Sequence, residues 1–367
     1  MFLDGISDIM DCMNPEFEKR LNKIENEIHR VTELNDLWKQ NSFGKLPEGV
    51  CSENGDLYLK CLLEPNTNLI SQGGKRWRPL FATLIADMVA AKKNGNSDLV
   101  YSLAPIVEFV HTASLIHDDI EDGADLRRGK PCAHISFGLD TALNAGSWFY
   151  FEALSLIDSL EISDEQKLAL HKTVGQELRR LHLGQAMDIY WHRNVSVFPS
   201  EKEYEAMVRQ KTGTLANLAA QLGALAGGAD KGLSEKLGET ASYIGMGFQI
   251  IDDVINLTTG NVGKKRGDDI VEGKKSLPVL IHVKNHPEDK KRIAELMEKA
   301  REEGIESPAV EECISLLESS GCIGKAWEEG VKVIDEACHT FHELGGRAGK
   351  SFADLIEELF KAMIPKL

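Results

Sequence analysis

Apolar residues recur along this chain with the period of a helix, not of a strand. Phe17, Leu21, Ile24, Ile28, Val31 and Leu34 form one stripe with charges between them, which predicts a helix from Pro15. Asn41 to Gly55 is rich in Gly, Ser, Pro and Asn and reads as a loop. Helical spacing resumes over Leu57–Leu63 and Leu80–Ala91, with the basic stretch Gly73-Gly74-Lys75-Arg76-Trp77-Arg78-Pro79 between them. Five long periodic stretches follow: 99–121, 142–160, 165–190, 203–227 and 233–257. Ser200 followed by Glu203 predicts a capped helix start. The Ala- and Gly-rich stretch 216–229 predicts a buried helix with close neighbours. A polar, basic, Gly-rich loop spans 258–275, and a short helix covers Leu277–Val283. From Pro287 three or four amphipathic helices are punctuated by Gly304, Gly321 and Gly345-Gly346. No strand-period run of useful length and no short repeat interrupts the pattern. It predicts an all-α fold, one large helical bundle, with residues 1–55 as leader, helix and loop and 56–367 as the helical domain.

Composition narrows the partners. A chain of 367 residues, 42% hydrophobic, can fill a large core. A net charge of −16 disfavours nucleic acid and anionic membrane surfaces. Seven cysteines without a CxxC pair read as reduced thiols of a cytoplasmic protein. The first residues carry Asp4, Asp8 and Asp11 where a secretory signal carries basic residues. No apolar run is expected to reach the roughly 20 residues of a membrane span.

Against that acidic background, two aspartate clusters stand out. Asp118, Asp119 and Asp122 end one apolar helical stretch, and Asp252, Asp253 and Asn256 end another. Positions i and i+4 share a helix face, so Asp118 and Asp122 point together. Carboxylates so close repel unless a cation lies between them. Their hard oxygens suit Mg2+, which keeps coordination positions for water and substrate phosphates. One such string alone is an ordinary solvated helix face, but two at the ends of apolar helices are not. Helices facing each other would clamp two or three Mg2+ ions and one diphosphate. Arg127-Arg128-Gly129-Lys130-Pro131 and the 73–79 loop supply base to hold an anion.

These residues also carry a resemblance. The segments GGKRWRP (73–79), HTASLIHDDIEDGADLRRGKP (111–131), GQAMD (184–188), KTGTL (211–215), GFQIIDD (247–253) and GKKRGDDIVEGKKSLP (263–278) resemble the trans-isoprenyl diphosphate synthases, from about Leu57 to the C-terminus. That family includes farnesyl and geranylgeranyl diphosphate synthases. The resemblance implies an all-α homodimer that joins isopentenyl diphosphate head-to-tail to an allylic diphosphate, using about three Mg2+ ions. It implies Asp118, Asp122 and Asp252 as metal ligands, with Asp119, Asp253 and Asn256 in support. It places Arg127, Lys211 and Lys264 at the allylic diphosphate, Lys265 being a close rival of Lys264. Lys75, Arg78, His111 and Arg128 fall at the isopentenyl diphosphate, and Thr212 and Gln249 line the reacting carbons, with Gln185 a further candidate. Many relatives have Asp where this chain has Asn256, a neutral donor that would bind metal more weakly. Lys274 and Lys275 receive no role.

Ala113 and Ser114, five and four residues before Asp118, are small, which disfavours a farnesyl end product. The aromatic run Trp148-Phe149-Tyr150-Phe151 on the next helix is a candidate tunnel floor. Together they point to a C20 product, geranylgeranyl diphosphate, with longer polyprenyl chains as the alternative. A class I terpene cyclase would lack the GGKRWRP loop. A non-catalytic subunit of a heteromeric synthase would have lost more of the aspartates.

Overall fold

The structure, a computed structural model, describes residues 14–51, 54–93, 95–260 and 265–365. It is all-α. The helices are α1 (Pro15–Thr32), α2 (Asp36–Phe43), α3 (Gly55–Ser71), α4 (Trp77–Lys93), α5 (Leu99–Glu121), α6 (Ala133–Phe137), α7 (Leu139–Asp158) and α8 (Asp164–Arg193). They continue with α9 (Glu201–Lys211), α10 (Gly213–Ala226), α11 (Lys231–Thr258) and α12 (Asp268–Glu272). The last are α13 (Leu277–Asn285), α14 (Lys290–Glu303), α15 (Pro308–Ser319) and α16 (Cys322–Met363). The one hairpin, Leu126–Arg127 against Lys130–Pro131, is two residues on each side.

The chain divides into two compact units. The first comprises residues 1–176, 218–238 and 344–359, and its core centres on α4, α5 and α7. Helix α1 lies in this unit with Phe17, Leu21, Ile24, Ile28 and Val31 buried, as its stripe predicts, and Asn14 caps its first turn. The Ala- and Gly-rich stretch behaves as expected. A Cβ on Gly223 would run into the backbone of Ala82, and one on Gly227 into that of Ala86, so only glycine lets α10 lie against α4.

The second unit comprises residues 177–217, 239–343 and 360–367. Its core runs from Tyr204 and Val208 through Ile250, Val254 and Leu257 to Ile293, Met297, Ile314 and Leu317. The capping box of Ser200 and Glu203 is present at the start of α9.

Three differences from the sequence pattern are local. The stretch 203–227 is two helices, parted at Thr212, where a Cβ on Gly213 would stand 2.6 Å from the Ser242 carbonyl. The loop expected from Asn41 gives way to α2, which runs to Phe43 and is capped by the Asn35 side chain accepting from the Trp38 N–H. Gly345-Gly346 punctuates α16 as the sequence pattern predicts: Gly346, at φ 59°, is non-helical and parts it into two helices that meet at a kink. Finally, α5 is long and apolar enough to cross a membrane, which no segment was expected to be; 72% of that window is buried inside the fold, so its apolarity belongs to the core.

Candidate active site

In the first unit, α5 carries the chemistry toward its C-terminal end. Asp122 is its C-cap, with the Asp122 N–H donating to the Asp118 carbonyl, and Gly123 at φ 66° turns the chain away. Asp118 and Asp122 are half-buried, on one face. Asp119, 2% exposed, faces inward, where it accepts from Arg127 Nε at 2.7 Å and pairs with Nη2 at 2.6 Å. Burial opposes the Arg127 charge, but the bonds and the charge of Asp119 outweigh it and hold its pKa above the usual value.

Arg127 is placed by the hairpin. The pairing Arg127↔Lys130 leaves Arg128 and Gly129 as a two-residue loop, both with positive φ (53° and 76°), the pattern of a type I′ turn. Arg128 then reaches the Gly73 carbonyl, so the basic loop 73–79 and the hairpin meet. Arg78 Nη1 lies 3.5 Å from His111 Nε2. A guanidinium only donates, so Nε2 accepts and the His111 proton sits on Nδ1. Burial first, then Arg78, Arg128, Arg127 and Arg76, hold the His111 pKa well below 6.5, so the ring is neutral. Burial, reinforced by Arg128 and opposed by Glu108, brings Arg78 down to about 10, still charged at neutral pH. His111 Nδ1 and Arg78 Nε are both buried without a partner. Two orphaned donors among cations suit an anion. Lys75 is exposed.

In the second unit, glycines again set the geometry. A Cβ on Gly245 would stand 2.6 Å from Gly213 Cα, so α11 crosses the start of α10 closely. One turn on, Gln249 accepts from the Thr212 hydroxyl at 2.9 Å and donates to Asp253 at 3.1 Å. Asp253 also accepts from the Tyr204 hydroxyl at 2.6 Å and from the Leu277 N–H at 3.2 Å. Burial outweighs these bonds and pushes Asp253 up to about 6, with Asp252 adding to the rise. Asp252 is exposed. Lys211 donates to buried Asp188 at 2.7 Å. Gly184 permits this, since a Cβ there would meet the Lys211 backbone.

The cation reading can be tested on the donors themselves. Among the described residues, no three His, Cys, Asp or Glu side chains converge to hold a metal. The outward donors, Asp118, Asp122 and Asp252, are hard carboxylates, which suit Mg2+ completed by water and phosphate oxygens. Asn256 does not belong to that set: it is 1% exposed, and its Oδ1 accepts from the Asp269 N–H at 3.2 Å. Lys264 lies outside the described residues. Its rival Lys265 is exposed and paired with Glu306. Gln185 is half-buried.

The aromatic run does not share one face. Trp148 packs against Trp38 (5.9 Å) and Phe43 (6.1 Å), while Phe149 stacks on Phe109 at 4.0 Å. Tyr150 lies over His117 at 5.5 Å, and Phe151 is 69% exposed. Successive helical residues diverge by about 100°. Sequence reasoning assigned nothing to Arg76, Asp188 or Tyr204. Asp188 was in view inside GQAMD, but only its ion pair with Lys211 reveals its part.

The polyprenyl synthetase family matches residues 59–316. A geranylgeranyl pyrophosphate synthase of Neocamarosporium betae is 34% identical over 262 residues, 70% of this chain and 72% of that protein. A terpene synthase of Matsumurasca onukii is 30% identical over 302 residues, 82% of this chain and 94% of that one. The crystal structure of geranylgeranyl pyrophosphate synthetase from Pyrococcus horikoshii Ot3 superposes with a TM-score of 0.77 at 27% identity, covering 96% of this chain and 98% of the other. The basic cluster and the two aspartate motifs thus belong to a chain of the polyprenyl synthetase family, a trans-prenyltransferase and isoprenyl diphosphate synthase.

Proposed function

We propose that the pocket of Lys75, Arg78, His111 and Arg128 takes isopentenyl diphosphate, and that Arg127, Lys211 and Lys264 hold the allylic diphosphate. The observation that carries this reading is the pair of orphaned donors, Arg78 Nε and His111 Nδ1, among cations. Asp118, Asp122 and Asp252 would hold Mg2+, three ions in all, whose charge makes diphosphate a better leaving group. The chain's own residues do the rest. Arg127, fixed by Asp119, and Lys211, fixed by Asp188, stand ready to neutralise the departing diphosphate. Thr212 and Gln249 present an oriented dipole to the reacting carbons. The neutral His111 has its Nδ1–H to donate to the diphosphate of the nucleophilic substrate.

The product is C20, geranylgeranyl diphosphate. Ala113 leaves room below the first motif, and bulk returns at Phe109 stacked on Phe149. Phe109 lies nine residues before Asp118, roughly 13 Å along the helix axis. The enzyme acts in the cytoplasm as a homodimer; the absence of a disulfide among Cys61, Cys132, Cys313, Cys322 and Cys338 supports that compartment.

The experiment is incubation with Mg2+, isopentenyl diphosphate and, separately, dimethylallyl, geranyl and farnesyl diphosphates, with the dephosphorylated products sized. A single C20 alcohol is expected. A ladder to C30 overturns the chain length. A hydrocarbon formed from the allylic diphosphate alone overturns the two-substrate reading in favour of a terpene cyclase.

A further inference from the structure

We propose that Glu25, Arg76 and Glu108 form a positioning triad that shapes the isopentenyl diphosphate pocket; this rests on the reading of that pocket given above. Lys75 and Arg78 hang on a turn in which Gly73, Gly74 and Arg76 all have positive φ (83°, 152° and 44°). Glycine adopts that region freely, but a non-glycine residue there is strained, so the surroundings must hold Arg76 in place. Each of its three guanidinium nitrogens donates: Nε to Glu25 at 2.8 Å, Nη1 to Glu108 at 2.8 Å and Nη2 to the Ile70 carbonyl at 2.8 Å.

The three partners come from three elements. Ile70 is in α3, just before the turn. Glu108 is in α5, three residues before His111 and so on the same face. Glu25 is in α1, outside the 59–316 stretch that matches the family. The triad therefore ties the turn to the helix carrying His111 and to a helix for which the sequence suggested no role. Arg76 and Glu108 are nearly inaccessible, at 7% and 3% exposure, so a substrate does not reach this guanidinium. It works through the turn instead. A Cβ on Gly74 would stand 3.2 Å from Arg128 Nη2 and 3.4 Å from Arg76 Nη1, so the turn is held between two guanidiniums. Arg128, itself at φ 53°, grips the Gly73 carbonyl from the other side. Two strained arginines thus clamp the turn that presents Lys75 and Arg78. Arg76 and its carboxylates are positioning residues, not ligands.

The test compares Arg76→Lys, Glu25→Ala and Arg78→Lys with the unmodified protein, reading KM for each substrate, kcat and Tm. Arg76→Lys keeps the charge but cannot fork to three acceptors. It should raise KM for isopentenyl diphosphate about tenfold, with KM for the allylic diphosphate moving less than about twofold. Glu25→Ala, at a half-exposed position, should give the same selective rise at about two- to threefold and cannot threaten the core. A parallel rise of both KM values, or a lowered Tm with both unchanged, overturns the triad. Arg78→Lys separates the two readings. If it leaves KM for isopentenyl diphosphate unchanged, the pocket assignment fails. If it raises that KM while Arg76→Lys and Glu25→Ala do not, the pocket stands and the triad falls.

Discussion

Two regions of the molecule bury charge in opposite ways. Around the 73–79 turn and the hairpin of the first unit, Arg76 meets Glu25 and Glu108 and Arg127 meets Asp119. Around the second aspartate motif and the 273–278 segment of the second unit, Asp253 and Lys275 meet neutral groups. Asp253 sits among a tyrosine hydroxyl, an amide and a backbone N–H. Lys275, 3% exposed, donates to the Gly273 carbonyl at 2.7 Å and lies over the Phe198 ring at 5.2 Å. Neutral partners repay desolvation only in part. Asp253 is accordingly pushed up to about 6 by burial, and Lys275 down to about 8 by burial with Arg301 adding. Each aspartate pair shows the same division on a smaller scale. One carboxylate faces out (Asp118, Asp252) and the next is consumed inside (Asp119, Asp253). The inward member does the structural work, and the outward one is the candidate cation ligand.

That contrast makes graded predictions. Asp118→Ala or Asp252→Ala should lower kcat on the order of a thousandfold while the unfolding midpoint in urea stays put. A large fall in that midpoint for either would erase the division between outward and inward members. Asp119→Asn should instead destabilise the fold by about 3–5 kcal/mol, because it strands the largely buried Arg127 guanidinium, and urea unfolding reads this directly.

Lys275 tests the neutral-partner side. Its folded pKa, about 8, lies below the 10.5 of an unfolded lysine. The stability it contributes is therefore full above pH 10.5 and is lost as the pH falls through 8. Lys275→Met should be more stable than the unmodified chain at pH 7 by about 3 kcal/mol, the gap closing as the pH rises from 8 to 10.5. A gap independent of pH would show that Lys275 is charged and well solvated in the fold, and the contrast between the two regions would fail.

The helices and the motif segments were legible in the sequence because both are local. The period of Phe17, Leu21, Ile24 and Ile28 needs no knowledge of the partner it packs on. What escaped depends on contacts distant in sequence. Nothing near Arg76 announces a left-handed arginine; that follows from Glu25 and Glu108, remote along the chain and close only after folding. Asn256 read as a weakened metal ligand because its spacing matches the motif, yet its oxygen is taken by the Asp269 N–H. The four aromatics after Ser147 read as one floor, but a helix sends three of them to different neighbours and Phe151 toward solvent. Spacing reports which face a residue shares, not what that face meets.

The central claim is that the first unit builds an anion pocket from the chain's own cations. The most direct measurement is equilibrium binding of isopentenyl diphosphate by calorimetry, with and without EDTA, on the unmodified protein and on Arg78→Ala. The account predicts binding that survives EDTA and is weakened on the order of tenfold by Arg78→Ala. Binding that appears only with Mg2+, or that ignores Arg78→Ala, would contradict it.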